Sequence, residues 1–162
     1  MDTLQKFRKS AANDIRRWLE ELDRTPARAT LSVGILQQAC RYAEELLRRA
    51  GGIYIEGTPD LGAEALSKVS DGKKKDVAKL TFGQCVQLVV FLDSKRQLAS
   101  GRKVISKSDK ELLNRLSTLR NKFTHDSSSA LIEGENMRLF LANVLRLSEA
   151  SVIEGAVGRE TR

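Results

Sequence analysis

The sequence predicts an all-α fold, an antiparallel helical bundle of about five helices, and three observations carry that expectation. Apolar residues recur at steps of three and four along most of the chain. Turn formers cluster between those stretches, at Thr25-Pro26, Gly51-Gly52, Ser100-Gly101 and Asp126-Ser127-Ser128-Ser129. No stretch reads as a strand, since the most β-branched segment runs about 17 residues without a turn signal, far beyond a strand of five or six. At 162 residues, 41% hydrophobic and 30% charged, the chain has enough apolar surface for one core and too little length for two ordinary domains.

The first helix is expected over 3–23, with the stripe Leu4, Phe7, Ala11, Ile15, Trp18 or Leu19, and Leu22. Proline at position 26 ends it, because it lacks an N–H and disfavours helical geometry in the residue before it. A second helix over 28–50 carries Leu36, Ala39 or Cys40, Ala43, Leu46 or Leu47, and Ala50. Gly51-Gly52 is its expected stop. The stretch 53–80 is expected as a loop with one or two helical turns near 60–70. Thr81 reads as the N-cap of a central helix containing Phe82, Cys85, Val86, Leu88, Val89, Val90, Phe91 and Leu92.

Ser108-Asp109-Lys110-Glu111 reads as a capping box, in which hydroxyl and carboxylate satisfy each other's unpaired backbone donors. The helix it opens buries Leu112, Leu116, Leu119 and Phe123 and runs to about 124. A last helix over 133–150 carries Met137, Phe140, Leu141, and Val144 or Leu145. The expected domain spans 1–155, with GAVGRETR at its end and 156–162 a flexible tail.

Several function classes fall away at this level. No apolar run approaches the roughly 20 residues that cross a bilayer, and the charged start does not read as a secretory signal, so a cytoplasmic protein with no membrane partner is expected. Cys40 and Cys85 read as core thiols of a reducing compartment. One histidine and two separated thiols do not make a zinc site, so neither metal nor cofactor is expected. The net charge of +7 points towards a polyanion, although solvated basic faces account for it equally well.

Chemistry near neutral pH rests on the one histidine, His125, in LRNKFTHD. On a plain reading it compensates the partial negative charge of a helix C-terminus, and Arg120 is one more surface cation. On a functional reading Arg120 offers a guanidinium fork for phosphate beside an imidazole that exchanges protons. Asn121 adds an amide, and Asp126 is placed to orient the ring. Positions five apart diverge by roughly 140° on an ideal helix, so the functional reading asks for a frayed or widened last turn. Lys73, Lys74, Lys75, Arg102, Lys103, Lys107 and Lys122 are candidate contacts to an RNA backbone, or ordinary solvated loop charges. Glu44 and Glu45 either face this cleft from the second helix or lie on its surface.

The order Arg120-Asn121, three residues, His125 resembles the motif of the HEPN domains: arginine, a polar residue often asparagine, and histidine after four to six intervening residues. LTFGQCVQLVV, at 80–90, is similar to the threonine-and-glycine start of the central helix in many members. The resemblance implies a metal-independent endoribonuclease, with Arg120, His125 and Asn121 catalytic. It also implies a homodimer whose motifs face each other across the two-fold axis, and a role in stress response, toxin–antitoxin pairing or antiviral defence. An antitoxin or defence-complex protein is then an expected partner. Ser127 stands where toxins of the family paired with nucleotidyltransferases often carry a modified tyrosine, so the resemblance stops short of that device. Other members bind RNA or a partner without cutting, and that is the alternative.

Overall fold

The computed structural model describes residues 3–24, 29–70, 76–95, 105–125 and 134–160, with the backbone alone at 29–33, 121–125 and 134–136. Among these residues the chain is an all-α bundle without strands. Its helices are α1 (Leu4–Arg24), α2 (Ala29–Gly57), α3 (Pro59–Val69), α4 (Phe82–Ser94), α5 (Lys107–His125), α6 (Gly134–Ser148) and α7 (Ser151–Glu160), with a 3-10 turn at Val77–Lys79. None of the helices in this region is long and apolar enough to cross a membrane.

The expected first helix is present, and it buries Leu4, Ala11 and Ile15 of the predicted stripe, with Ala12 beside them and Phe7, Trp18, Leu19 and Leu22 partly buried. The second runs past its expected stop. Gly51-Gly52 lies inside α2, whose 29 residues span about 43 Å. Tertiary packing outweighs glycine's weak helix propensity there. Tyr54 is 1% exposed and donates a 2.6 Å hydrogen bond to the Val152 carbonyl of α7, which holds the extra turns in place. A Cβ on Gly51 would lie 3.1 Å from Leu88 Cδ2, so the missing side chain lets α4 approach closely. The centre of the bundle is consequently α2, which packs against α1, α3, α4, α6 and α7. By contrast α4 leaves Gln87 exposed and Val90 and Phe91 half-buried.

Four further expectations need correction. Residues 59–69 form a helix of 11 residues rather than one or two turns, because Pro59 at its first position fits helical geometry without needing a donor. The cap of α5 is Ser106, whose hydroxyl accepts from the Asp109 N–H at 3.1 Å. Ser108 lies inside the first turn, where its hydroxyl accepts from Arg146 instead. The end of the chain through Glu160 is helical, and Val152, Ile153 and Ala156 of α7 are fully buried. The Thr81 cap stands as expected, completed by Gln84 as a reciprocal box: each side chain bonds the other residue's backbone N–H. Helix α4 closes at Ser94, short of the expected 17 residues.

Candidate active site

Arg120 lies near the C-terminal end of α5, which packs on α4 and α6 rather than principally on α2. Its guanidinium nevertheless reaches α2. Nε donates to Glu44 Oε1 at 2.6 Å, and Nη2 lies 2.5 Å from the same oxygen. Both side chains are largely covered, Arg120 29% exposed and Glu44 19%. A charge-assisted pair at that depth fixes a guanidinium more firmly than a surface pair in free water.

The α2 stripe that buries Ala39, Ala43, Leu46 and Leu47 dictates which of its polar residues stay near the surface. Cys40 precedes Glu44 by one helical turn. Its thiol is pushed up to about 11 by burial first and by the Glu44 carboxylate second, against an opposing effect of Arg120. Cys85 of α4 is pushed up to about 11 in the same way, by burial first, with Arg48 opposing and Glu44 and Glu45 reinforcing. Both thiols stay protonated at neutral pH and offer no thiolate nucleophile.

Glu45 points its two oxygens at other partners, accepting from Arg48 at 3.2 Å and from Arg49 at 3.1 Å. The two adjacent carboxylates therefore divide. Glu44 joins Arg120, and Glu45 serves the arginines of its own helix.

The α-helical course of α5 is kept through His125. A widened last turn is absent from the backbone, so the positions of Arg120 and His125 stand about 140° apart around the axis and about 7.5 Å apart along it. Asn121 and Lys122 fall on the same closing turns, and the side chains of Asn121, Lys122 and His125 lie outside the described residues. Lys73, Lys74, Lys75, Arg102, Lys103 and Asp126 lie outside them altogether. Comparison with protein-family models, curated proteins and solved structures finds no significant match to this chain. Its function must be argued from its own groups.

Among the described residues, no three histidine, cysteine, aspartate or glutamate side chains gather into a group able to hold a metal ion. The residues that sequence reasoning missed are Arg41, Arg48 and Arg49, on the same helix as Glu44. Their signal was available in the spacing: Arg41 and Arg48 are seven apart, two turns along one helical face.

Proposed function

We propose that the chain is a metal-independent endoribonuclease of HEPN type, cutting RNA by 2′-hydroxyl attack at a composite site on a homodimer interface. Its setting is stress response, toxin–antitoxin pairing or antiviral defence, as the motif resemblance implies. The observation that carries the reading is the Arg120–Glu44 pair. A carboxylate brought from α2 holds the motif arginine, five residues before the chain's one histidine. Preorganised charge of this kind stabilises a phosphorane-like transition state better than a freely moving side chain does.

In this mechanism one imidazole removes the proton of the ribose 2′-hydroxyl, whose oxygen attacks phosphorus. A second imidazole gives a proton to the departing 5′-oxygen. The products are a 2′,3′-cyclic phosphate and a free 5′-hydroxyl. One polypeptide has one histidine, and a two-fold axis supplies the other. In this reading the Asn121 amide donates to a phosphate oxygen.

The test is cleavage of a labelled RNA in the presence of EDTA. Wild type cuts and leaves cyclic phosphate ends, while Arg120→Ala and His125→Ala fold and do not cut. Cleavage that needs a divalent metal, leaves 5′-phosphates, or survives either substitution refutes the proposal. The Arg120–Glu44 pair also favours one second reading: a helical module that binds RNA or a partner protein without cutting, with the pair tying α5 to α2. Under that reading RNA stays intact with the wild type, and binding persists in the His125→Ala variant.

A further inference from the structure

Beside Glu44, on the side of α2 that faces α1, the surface opens into a groove of about 230 Å³. It is lined from α2 by Gln38, Arg41, Tyr42, Glu44, Glu45 and Arg48, and closed by Phe7 of α1. Arg41 and Arg48 line it beside the carboxylates of Glu44 and Glu45, Arg49 and Arg120 pair with those carboxylates from outside the lining, and Tyr42 donates to Asp14, itself paired with Arg17, so the excess of positive charge stands at the groove's edges. The carboxylates hold the cations in position without cancelling them. Arg41 is exposed and makes no ion pair among the described residues.

Arg48 is more constrained. One terminal nitrogen donates to Glu45, and the other to the Leu80 carbonyl at 3.2 Å. Its Nε is buried and finds no acceptor among the described residues. An unpaired buried donor on a cation is costly in a folded protein. Arg49, for its part, is fixed over the ring of Phe7, 4.4 Å from its centre. Arg41 and Arg48 lie about 10.5 Å apart along the α2 axis, which suits a charged strand laid along the helix better than a compact ligand held at one point.

We propose that this groove is a phosphate-binding track for single-stranded RNA, with Arg41 and Arg48 taking backbone phosphates next to the one presented to Arg120. The inference deepens the nuclease reading and rests on it. Glu44 joins the two places, since it lines the groove and also holds Arg120. The aromatic faces here are already engaged, Tyr42 stacked on Trp18 and meeting Phe7 edge-on, so the track reads backbone charge rather than stacked bases.

The test is fluorescence anisotropy with a labelled RNA of about 12 nucleotides, 2′-O-methylated so that it cannot be cut, titrated over a range of salt. Arg41→Glu should weaken binding at least ~10-fold and lower the salt-dependence slope by about one. Arg41→Ala should give a smaller loss in the same direction. Lys110→Glu, on the first turn of α5, changes net charge as much as Arg41→Glu and should shift affinity less than ~2-fold. Equal losses for Arg41→Glu and Lys110→Glu, no loss for Arg41→Glu, or no binding by the wild type overturns the track. Cleavage of unmodified RNA separates the two proposals. A wild type that binds through Arg41 without cutting removes the nuclease reading alone, and a wild type that cuts with an unchanged KM in Arg41→Glu removes the track alone.

Discussion

Glu44 Oε1 receives Nε and Nη2 of Arg120 at 2.6 and 2.5 Å, joining positions 76 residues apart in sequence. Because the pair is mostly covered, removing one partner leaves the other charge in a poor solvent. Glu44→Gln should lower unfolding free energy by about 1–3 kcal/mol in urea titration. In a double-mutant cycle with Arg120→Ala the coupling should be about 1–2 kcal/mol. If the pair also positions Arg120 for phosphate, Glu44→Gln should lower the RNA cleavage rate more than it lowers RNA affinity. An equal fall in both would mark the pair as a tie between helices and nothing more.

How much of this was legible depends on whether the deciding partner was local. The stripe of α1, the burial of Leu112 and Leu116 in α5, and the Thr81 cap of α4 are short-range patterns and stand in the structure as the sequence implies, while the Phe123 side chain lies outside the described residues. The passage of α2 through Gly51-Gly52 depends on Leu88 and Val152, so no window around residue 51 contains the reason. The misplaced cap of α5 is a local ambiguity, since Ser106 and Ser108 each precede an acidic residue at the third position, Asp109 and Glu111. At the site, Arg120 and His125 stand out through a motif, whereas the pairing of Arg120 with Glu44 rather than Glu45 is decided by which α2 face is buried. The arginines of α2 were overlooked because charge on an amphipathic helix ordinarily means solvent.

Three glycines in helices should respond differently to alanine. A Cβ at Gly52 meets nothing within 4 Å, so Gly52→Ala should stabilise by about 0.5–1 kcal/mol through helix propensity. A Cβ at Gly62 would fall 2.8 Å from Ile55 Cγ2 and 3.3 Å from the Ile55 backbone. That contact cannot relax by a side-chain movement alone, and Gly62→Ala should destabilise by about 1–3 kcal/mol. Gly51→Ala presses only on the tip of Leu88 and should lie between them. Urea midpoints at constant m would rank the three variants, and any other order contradicts the packing described.

The buried thiols give stability a pH dependence of known sign. Cys85, 1% exposed, has its thiol raised from an ordinary 9.0 to about 11. Above pH 9 the unfolded chain loses that proton while the folded chain keeps it, so the native state binds more protons and stability falls as pH rises. The contribution is fully present below pH 9 and is lost towards pH 11, with a limiting slope of about 1.4 kcal/mol per pH unit. Unfolding free energies measured between pH 8.5 and 10.5 should fall less steeply in Cys85→Ala than in the wild type. Identical slopes would mean that the thiol is not shielded.

The end of α7 should matter for folding. Ala156 is fully buried, the Arg159 guanidinium lies 4.9 Å from the centre of the Tyr54 ring, and Glu160 Oε1 accepts the Leu4 N–H at 2.7 Å. That last bond satisfies an otherwise unpaired donor at the start of α1, so α1 and α7 support each other. Truncation after Gly155 removes all three contacts. It should destabilise the protein by about 2–3 kcal/mol, from lost apolar burial, the cation–π contact and the α1 cap together. Glu160→Gln should account for only a small part of that loss, since its amide oxygen still accepts. A truncated chain that melts with the wild type would show that the last turns of α7 contribute nothing to the core, against the burial of Ala156.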